Sequence, residues 1–131
     1  MKRAAKPEGK FNVVVEEVPV PEPGPTEVRI KSVRSLISRG SEIGARYTRE
    51  HAVDPESMGY SLAGIVDAVG VEVTHLGPGD RVVSLAPHAE YVVREAVYKT
   101  PDSQNQVYPI ADNVTFEQAT YWPLVAGAVT W

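Results

Sequence analysis

The sequence predicts a mainly β fold, and three observations predict it. Eleven prolines and ten glycines cut the chain into short runs, a punctuation that suits strands and turns better than a helical bundle. The runs between them are rich in β-branched residues, and one alternates apolar with polar positions at period two. A helical signature is confined to the end, where a capping signal precedes an apolar stretch. With 131 residues the chain suits one domain with one core.

The elements follow in order. "FNVVVEEV", residues 11–18, is bounded by Gly9 and by the ladder Pro19, Pro21, Pro23 and Pro25. It reads as a strand leaving into an extended connector, because proline donates nothing to a sheet. "TEVRIKSV", residues 26–33, sets Val28, Ile30 and Ser32 against Arg29, Lys31 and Val33, a strand with one face to the core. "SLISRGSEIGARYTREH" loses the alternation; Ser41 reads as a cap of a short turn, and Gly40 and Gly44 argue for a loop around it. "SLAGIVDAVG", after Gly59, resumes as a strand in which Gly64 marks a bend or a close backbone approach.

Gly77, Pro78, Gly79 and Asp80 form a turn, and "RVVSLAPHAEYVV" reads as two strands broken at Pro87. Residues 100–112 are polar and proline-bearing, an exposed loop. Thr115 and Gln118 make a capping box; "FEQAT" and "PLVAGAVTW" then read as two short helices, the second opened by Pro123 at its first position and running to Trp131 without a stop signal. The division expected is a β domain over residues 1–114 and a helical junction over 115–131.

Composition excludes several classes of function. The formal charge of −4 leaves no basic surplus to neutralise phosphates, so no nucleic acid is expected as partner. No run approaches the roughly 18 apolar residues of a membrane span, and "MKRAAKPEGKF" has no apolar stretch behind its basic residues; a cytoplasmic protein without a membrane partner is the expectation. Without cysteine there is no disulfide framework, no thiolate nucleophile and no cysteine-based zinc site.

The segments "VPVPEPGPTEVRIKSVRSL", "GSEI", "MGYSLAGIVDAVGVEVTHLGPGDRVV", "HAEYVV" and "PIADNVTFEQATYWPLVAGAVTW" together resemble the N-terminal part of the medium-chain dehydrogenase/reductases. They span nearly the whole chain in the family's order. The resemblance implies a GroES-like, partly open β-barrel forming one wall of a cleft. It further implies that a Rossmann domain binding NAD(P)(H) would follow where these residues stop. No G-x-G-x-x-G lies between a strand and a helix: Gly40 with Gly44, and Gly77 with Gly79, have neither the spacing nor the setting of a phosphate loop. No dinucleotide is therefore expected to bind this chain alone.

Zinc-dependent members place a cysteine and a histidine where, without gaps, this sequence has Arg39 in "RGSE" and Tyr60 in "GYS". An arginine offers no lone pair and a neutral phenol is a poor ligand. The resemblance is therefore to a zinc-independent branch, nearest the subgroup with "SxGTE"-like and "GPHAEYV"-like motifs, which includes dehydrogenases related to bacteriochlorophyll synthesis; the substrate does not carry over.

The candidate catalytic residues are Tyr60, Ser41 and His88, and the candidate substrate contacts are Arg39, Tyr60 and Glu42. Tyr60 is read as a hydroxyl lining the cleft, because its position matches a metal ligand of relatives; a phenol is too weak an acid for it to be read first as a proton donor. Its bland alternative is a core tyrosine with a backbone partner. Ser41 matches a proton-relaying hydroxyl or caps the local backbone. Arg39 meets an anionic group or pairs with Glu42 three residues on. His88 is a cleft-edge donor or a loop histidine. His51 and His75 read as exposed, Asp80 as a turn residue and Glu90 as an outward strand position. A metal site from His51, His75, His88 and Glu42 would need distant loops to converge and has none of the short zinc spacings.

Two functions follow as expectations. One is the substrate-side domain of a zinc-independent NAD(P)(H)-dependent oxidoreductase acting on a carbonyl, alcohol or alkene, inactive alone for want of its Rossmann domain. The other is a free-standing GroES-like binding module that forms a homo-oligomer through the apolar residues 116–131. Tyr121, Trp122 and Trp131 would be buried at a domain junction in the first and exposed in this chain alone.

Overall fold

In the computed structural model, which describes residues 1–97 and 107–129, the strands are β1 (Lys2–Ala5), β2 (Val14–Glu17), β3 (Glu27–Leu36), β4 (Ser61–Val69), β5 (Arg81–Ser84), β6 (Tyr91–Glu95) and β7 (Tyr108–Pro109). Five of them form an antiparallel sheet in the order β6-β3-β4-β5-β7, and β1 pairs with β2 in a separate ribbon. Among the described residues its edge strands β6 and β7 do not pair with each other.

Alternation along the strands gives the sheet two covered faces. On one, Val28 and Ile30 of β3, Leu62 and Val66 of β4, Val82 of β5 and Val92 of β6 pack into the main core. Each such side chain contributes about 1.5–3 kcal/mol by leaving water. On the other face Ala63 and Val83 meet Ala119 of the short helix α1 (Phe116–Ala119), with Phe116 and Trp122 against them. Helix α2 (Trp122–Val129) follows.

Several expectations stand. The turn after Gly77 forms, with Asp80 Oδ2 accepting from Gly77 N at 2.9 Å, and the break at Pro87 separates β5 from β6. The capping box is complete: Thr115 accepts from Gln118 N at 3.1 Å and Gln118 from Thr115 N at 3.0 Å. Gly64 lies opposite Ser32 beside a bulge in β3, where a Cβ would overlap the Lys31 carbonyl.

Others are corrected. Strand β2 covers only Val14–Glu17 of the expected 11–18, because Phe11 turns the chain with φ of 55°. Its partner β1 went unforeseen: the charged "KRAA" carries no apolar alternation to announce it. Strand β3 runs on to Leu36 past the bulge. Tyr108 and Pro109 of the expected loop pair with Val83 and Val82 as an edge strand, while residues 100–106 lie outside the described part. Helix α2 starts at Trp122, one residue before the expected Pro123.

The ribbon is tied to the rest by a buried lysine. Lys6, 1% exposed, donates from Nζ to the carbonyls of Pro7 at 3.1 Å, Gly9 at 2.8 Å and His51 at 3.1 Å. Three carbonyls match its three N–H groups, which is how a buried ammonium is tolerated.

Candidate functional site

The stretch expected to be a loop folds as a nine-residue π-helix, Arg39–Tyr47. Such helices are rare and concentrate at functional sites. Its cap is Ser38, whose Oγ accepts from Ser41 N at 3.4 Å, so the capping role expected of Ser41 belongs to its neighbour three residues back. The wide turn leaves one buried residue in the helix, and it is a glutamate.

Glu42 is fully buried at 0% exposure. Its Oε2 accepts from Ser38 N at 2.5 Å. Its Oε1 accepts from Tyr47 Oη at 2.8 Å and faces His88 Nε2 at 2.6 Å. A carboxylate is acceptor-only, so His88 presents Nε2–H to it; Nδ1 then faces Ser35 Oγ at 2.8 Å. Burial, followed by the Glu42 hydrogen bond and charge, pushes the Tyr47 phenol above its ordinary range, with Arg46 opposing in part. Tyr47 therefore remains a donor at neutral pH. The helix is docked by this network rather than by an apolar face.

Docking in this way turns Ser41 toward a cleft of about 390 Å³ that Tyr60, Gly59, Arg46, Leu85 and Arg94 also line. Gly59 is where the cleft lining approaches the next strand connection most closely. A Cβ there would overlap the backbone of Ala86 and Pro87, and His88 N reaches Met58 O at 2.7 Å across the same contact. Arg46 Nη1 donates to the Gly59 carbonyl at 3.1 Å and so joins the π-helix to the Tyr60 loop. The hydroxyls of Ser41 and Tyr60 meet no partner among the described residues.

The candidate set is thus divided in space. Ser41 and Tyr60 share the cleft. The His88 side chain lines a separate hollow with Ser32, Ser35 and Glu90, and its ring is linked to the π-helix of the cleft wall through Glu42. Arg39 is exposed, and its expected ion pair with Glu42 does not form, because the carboxylate turns inward to Tyr47 and His88. Missed in the sequence were Tyr47, Arg46 and Arg94, none of which stands in a motif.

Neither side chain at the two expected zinc positions is a strong metal donor. The two positions that the family resemblance matches to zinc ligands hold the exposed Arg39 and the cleft phenol Tyr60. Among the described residues no group of three or more His, Cys, Asp or Glu side chains converges. His51 and His75 are exposed. The described strands pair antiparallel throughout, and no parallel β-α-β unit of the kind that cradles a dinucleotide forms among them. No helix among the described residues is long and apolar enough to cross a membrane.

Comparison with known proteins gives this geometry its relatives. The chain is 30% identical to sorbitol dehydrogenase of Macaca fascicularis, over 97% of its own length and 45% of the relative's. The bovine sorbitol dehydrogenase is 32% identical, over 95% and 44%. A Solanum tuberosum alcohol dehydrogenase matches at 38% across 54% of this chain. Among solved structures, an NAD-dependent alcohol dehydrogenase superposes with a TM-score of 0.72 at 27% identity, covering 95% of this chain and 43% of that one. A quinone oxidoreductase of Pseudomonas syringae pv. tomato DC3000 gives 0.67 at 26%, covering 91% and 36%. No family model matches. The homologues are thus sorbitol and alcohol dehydrogenases and quinone oxidoreductases, and the fold is the GroES-like fold of the N-terminal part of medium-chain dehydrogenase/reductases. The chain spans about 45% of the length of the sorbitol dehydrogenases it matches.

Proposed function

We propose that this chain is the substrate-side domain of a zinc-independent, NAD(P)(H)-dependent oxidoreductase acting on a carbonyl, alcohol or activated alkene. The observation that carries the reading is the cleft in which Ser41 and Tyr60 meet with hydroxyls unpartnered among the described residues, Tyr60 standing where the family resemblance places a metal ligand of zinc-dependent members. Redox chemistry would come from a nicotinamide held by a nucleotide-binding domain, and these residues would orient the substrate beside it.

Tyr60 donates its O–H to the substrate oxygen and Ser41 donates or accepts beside it, so that the reacting carbon is presented at the open side of the cleft. A hydrogen bond to an oxygen gaining charge contributes about 1.5–3 kcal/mol, more than the same bond to a neutral carbonyl. The difference favours the transition state over the bound substrate. His88, Glu42 and Tyr47 act at one remove as positioning residues, holding the π-helix that carries Ser41.

Calorimetric titration of the 131-residue chain with NADPH is the direct test. No tight binding is expected, and stoichiometric submicromolar binding would overturn the assignment of the nucleotide site to another domain. Zinc retained at one equivalent after purification without chelators would overturn the zinc-independent part.

A second reading rests on its own observation. Tyr121, just before α2, and Leu124 and Val125 within its first turns are 51%, 52% and 59% exposed, which supports an assembly module joined through residues 116–131. A sedimentation experiment showing a monomer at micromolar concentration removes it.

A further inference from the structure

We propose that the substrate of the Ser41–Tyr60 cleft carries an anionic oxygen group, a carboxylate or a phosphate, received by Arg46 and Arg94. This rests on the cleft being substrate-facing, as proposed above. Both arginines line it, and both are fixed there by backbone carbonyls. Arg46 Nη1 donates to Gly59 O at 3.1 Å. Arg94 donates from Nε to Leu85 O at 3.0 Å and from Nη1 to Val93 O at 2.8 Å.

Carbonyls orient a guanidinium without neutralising it. The sole carboxylate on either is Glu56, among the described residues, with Oε2 at 3.5 Å from Arg94 Nη2 and 66% of its side chain in solvent. Arg46 is half-buried and has no carboxylate partner among the described residues.

The same fold shows how it otherwise buries a guanidinium. Arg29, 17% exposed, sits between Asp67 at 2.9 Å and Glu22 at 3.1 Å and lies 5.7 Å from the Tyr91 ring centroid. Arg94, 15% exposed, has one long contact in place of two short ones. In a chain of net charge −4 with 17 acidic residues, carboxylates are not scarce, yet two positive charges face this cleft against one rim carboxylate. Withdrawing a guanidinium from water costs free energy unless an anion meets it. A planar fork pairs best with a planar or tetrahedral oxyanion. Ser41 and Tyr60 would supply neutral donors to the reacting end of the same molecule.

The test is a titration of the 131-residue chain followed by NMR of its arginine Nε–H and backbone signals. The probes are inorganic phosphate, acetate, the uncharged acetamide, and ADP-ribose. Phosphate and acetate are expected to move Arg46 and Arg94, with Arg46→Gln weakening them about tenfold. Glu56→Gln, at the exposed rim, should tighten them about threefold by removing the competing charge. Equal affinity for phosphate and acetate in wild type and Arg46→Gln overturns the proposal. So does ADP-ribose binding more tightly than orthophosphate at the same arginines, which would assign the charge to the nucleotide. Acetamide moving Tyr60 while the anions leave both arginines unmoved overturns the anionic substrate alone and leaves the cleft reading standing. No probe moving Ser41 or Tyr60 overturns both.

Discussion

Replacing Glu42 with alanine withdraws one carboxylate and strands three donors: Ser38 N at 2.5 Å, Tyr47 Oη at 2.8 Å and His88 Nε2 at 2.6 Å. A buried donor left without a partner costs about 1–3 kcal/mol. Ser38, Tyr47 and His88 are each only partly buried, so water compensates in part and the low end of that range applies. Three such losses give about 3 kcal/mol, a large share of the roughly 5–15 kcal/mol that holds a domain folded. For a chain of 131 residues that corresponds to a fall in Tm of about 10 °C. Glu42→Gln keeps one acceptor but sets an NH₂ against a donor, and should cost about half as much. Urea denaturation followed by tryptophan fluorescence reads both variants. Repeating Glu42→Ala in a Tyr47→Phe background should return a coupling of about 1 kcal/mol. A loss below about 0.5 kcal/mol for Glu42→Ala would refute the idea that this network docks the π-helix, since that is the range of an ordinary surface change.

Gly59→Ala should destabilise by about 1–3 kcal/mol, because its Cβ would overlap the backbone of Ala86 and Pro87, whereas Gly40→Ala, with nothing within 4 Å, should stay within about 0.5 kcal/mol; thermal melts of the two distinguish packing from general glycine effects. The raised Tyr47 phenol makes stability pH-dependent. The unfolded tyrosine loses its proton first, so its contribution is complete below about pH 10 and is lost as pH rises further. Wild type should therefore lose stability above about pH 10 more steeply than Tyr47→Phe, and parallel curves would contradict the burial of that hydroxyl.

The parts legible in the sequence are those decided by neighbours in the chain. Alternation in β3, the apolar run of β4 bounded by Gly59 and Gly70, the turn at Gly77–Asp80 and the Thr115–Gln118 capping box depend on residues within a few positions of one another. The close approach at Gly64 was legible for a different reason, since a strand interior rarely spares a side chain without cause. What stayed hidden is tertiary. The π-helix leaves no periodic apolar stripe because its anchor is Glu42, whose partner His88 lies 46 residues away. "GSEI" marks the place without revealing that the glutamate points inward. Strand β1 depends on β2 for its existence, and Lys6 looks like any surface lysine until the carbonyls of Pro7, Gly9 and His51 close around it. Arg46 and Arg94 are 48 positions apart and meet only across the folded cleft.

Steady-state kinetics of Tyr60→Phe, in a full-length oxidoreductase that contains these 131 residues, test the substrate-side assignment most directly. Losing one hydrogen bond to an oxygen that gains charge should lower kcat/KM about 10- to 100-fold, equivalent to about 1.4–2.7 kcal/mol of transition-state stabilisation, with the Kd for NAD(P)H unchanged. An unchanged kcat/KM would contradict it and return Tyr60 to a packing role.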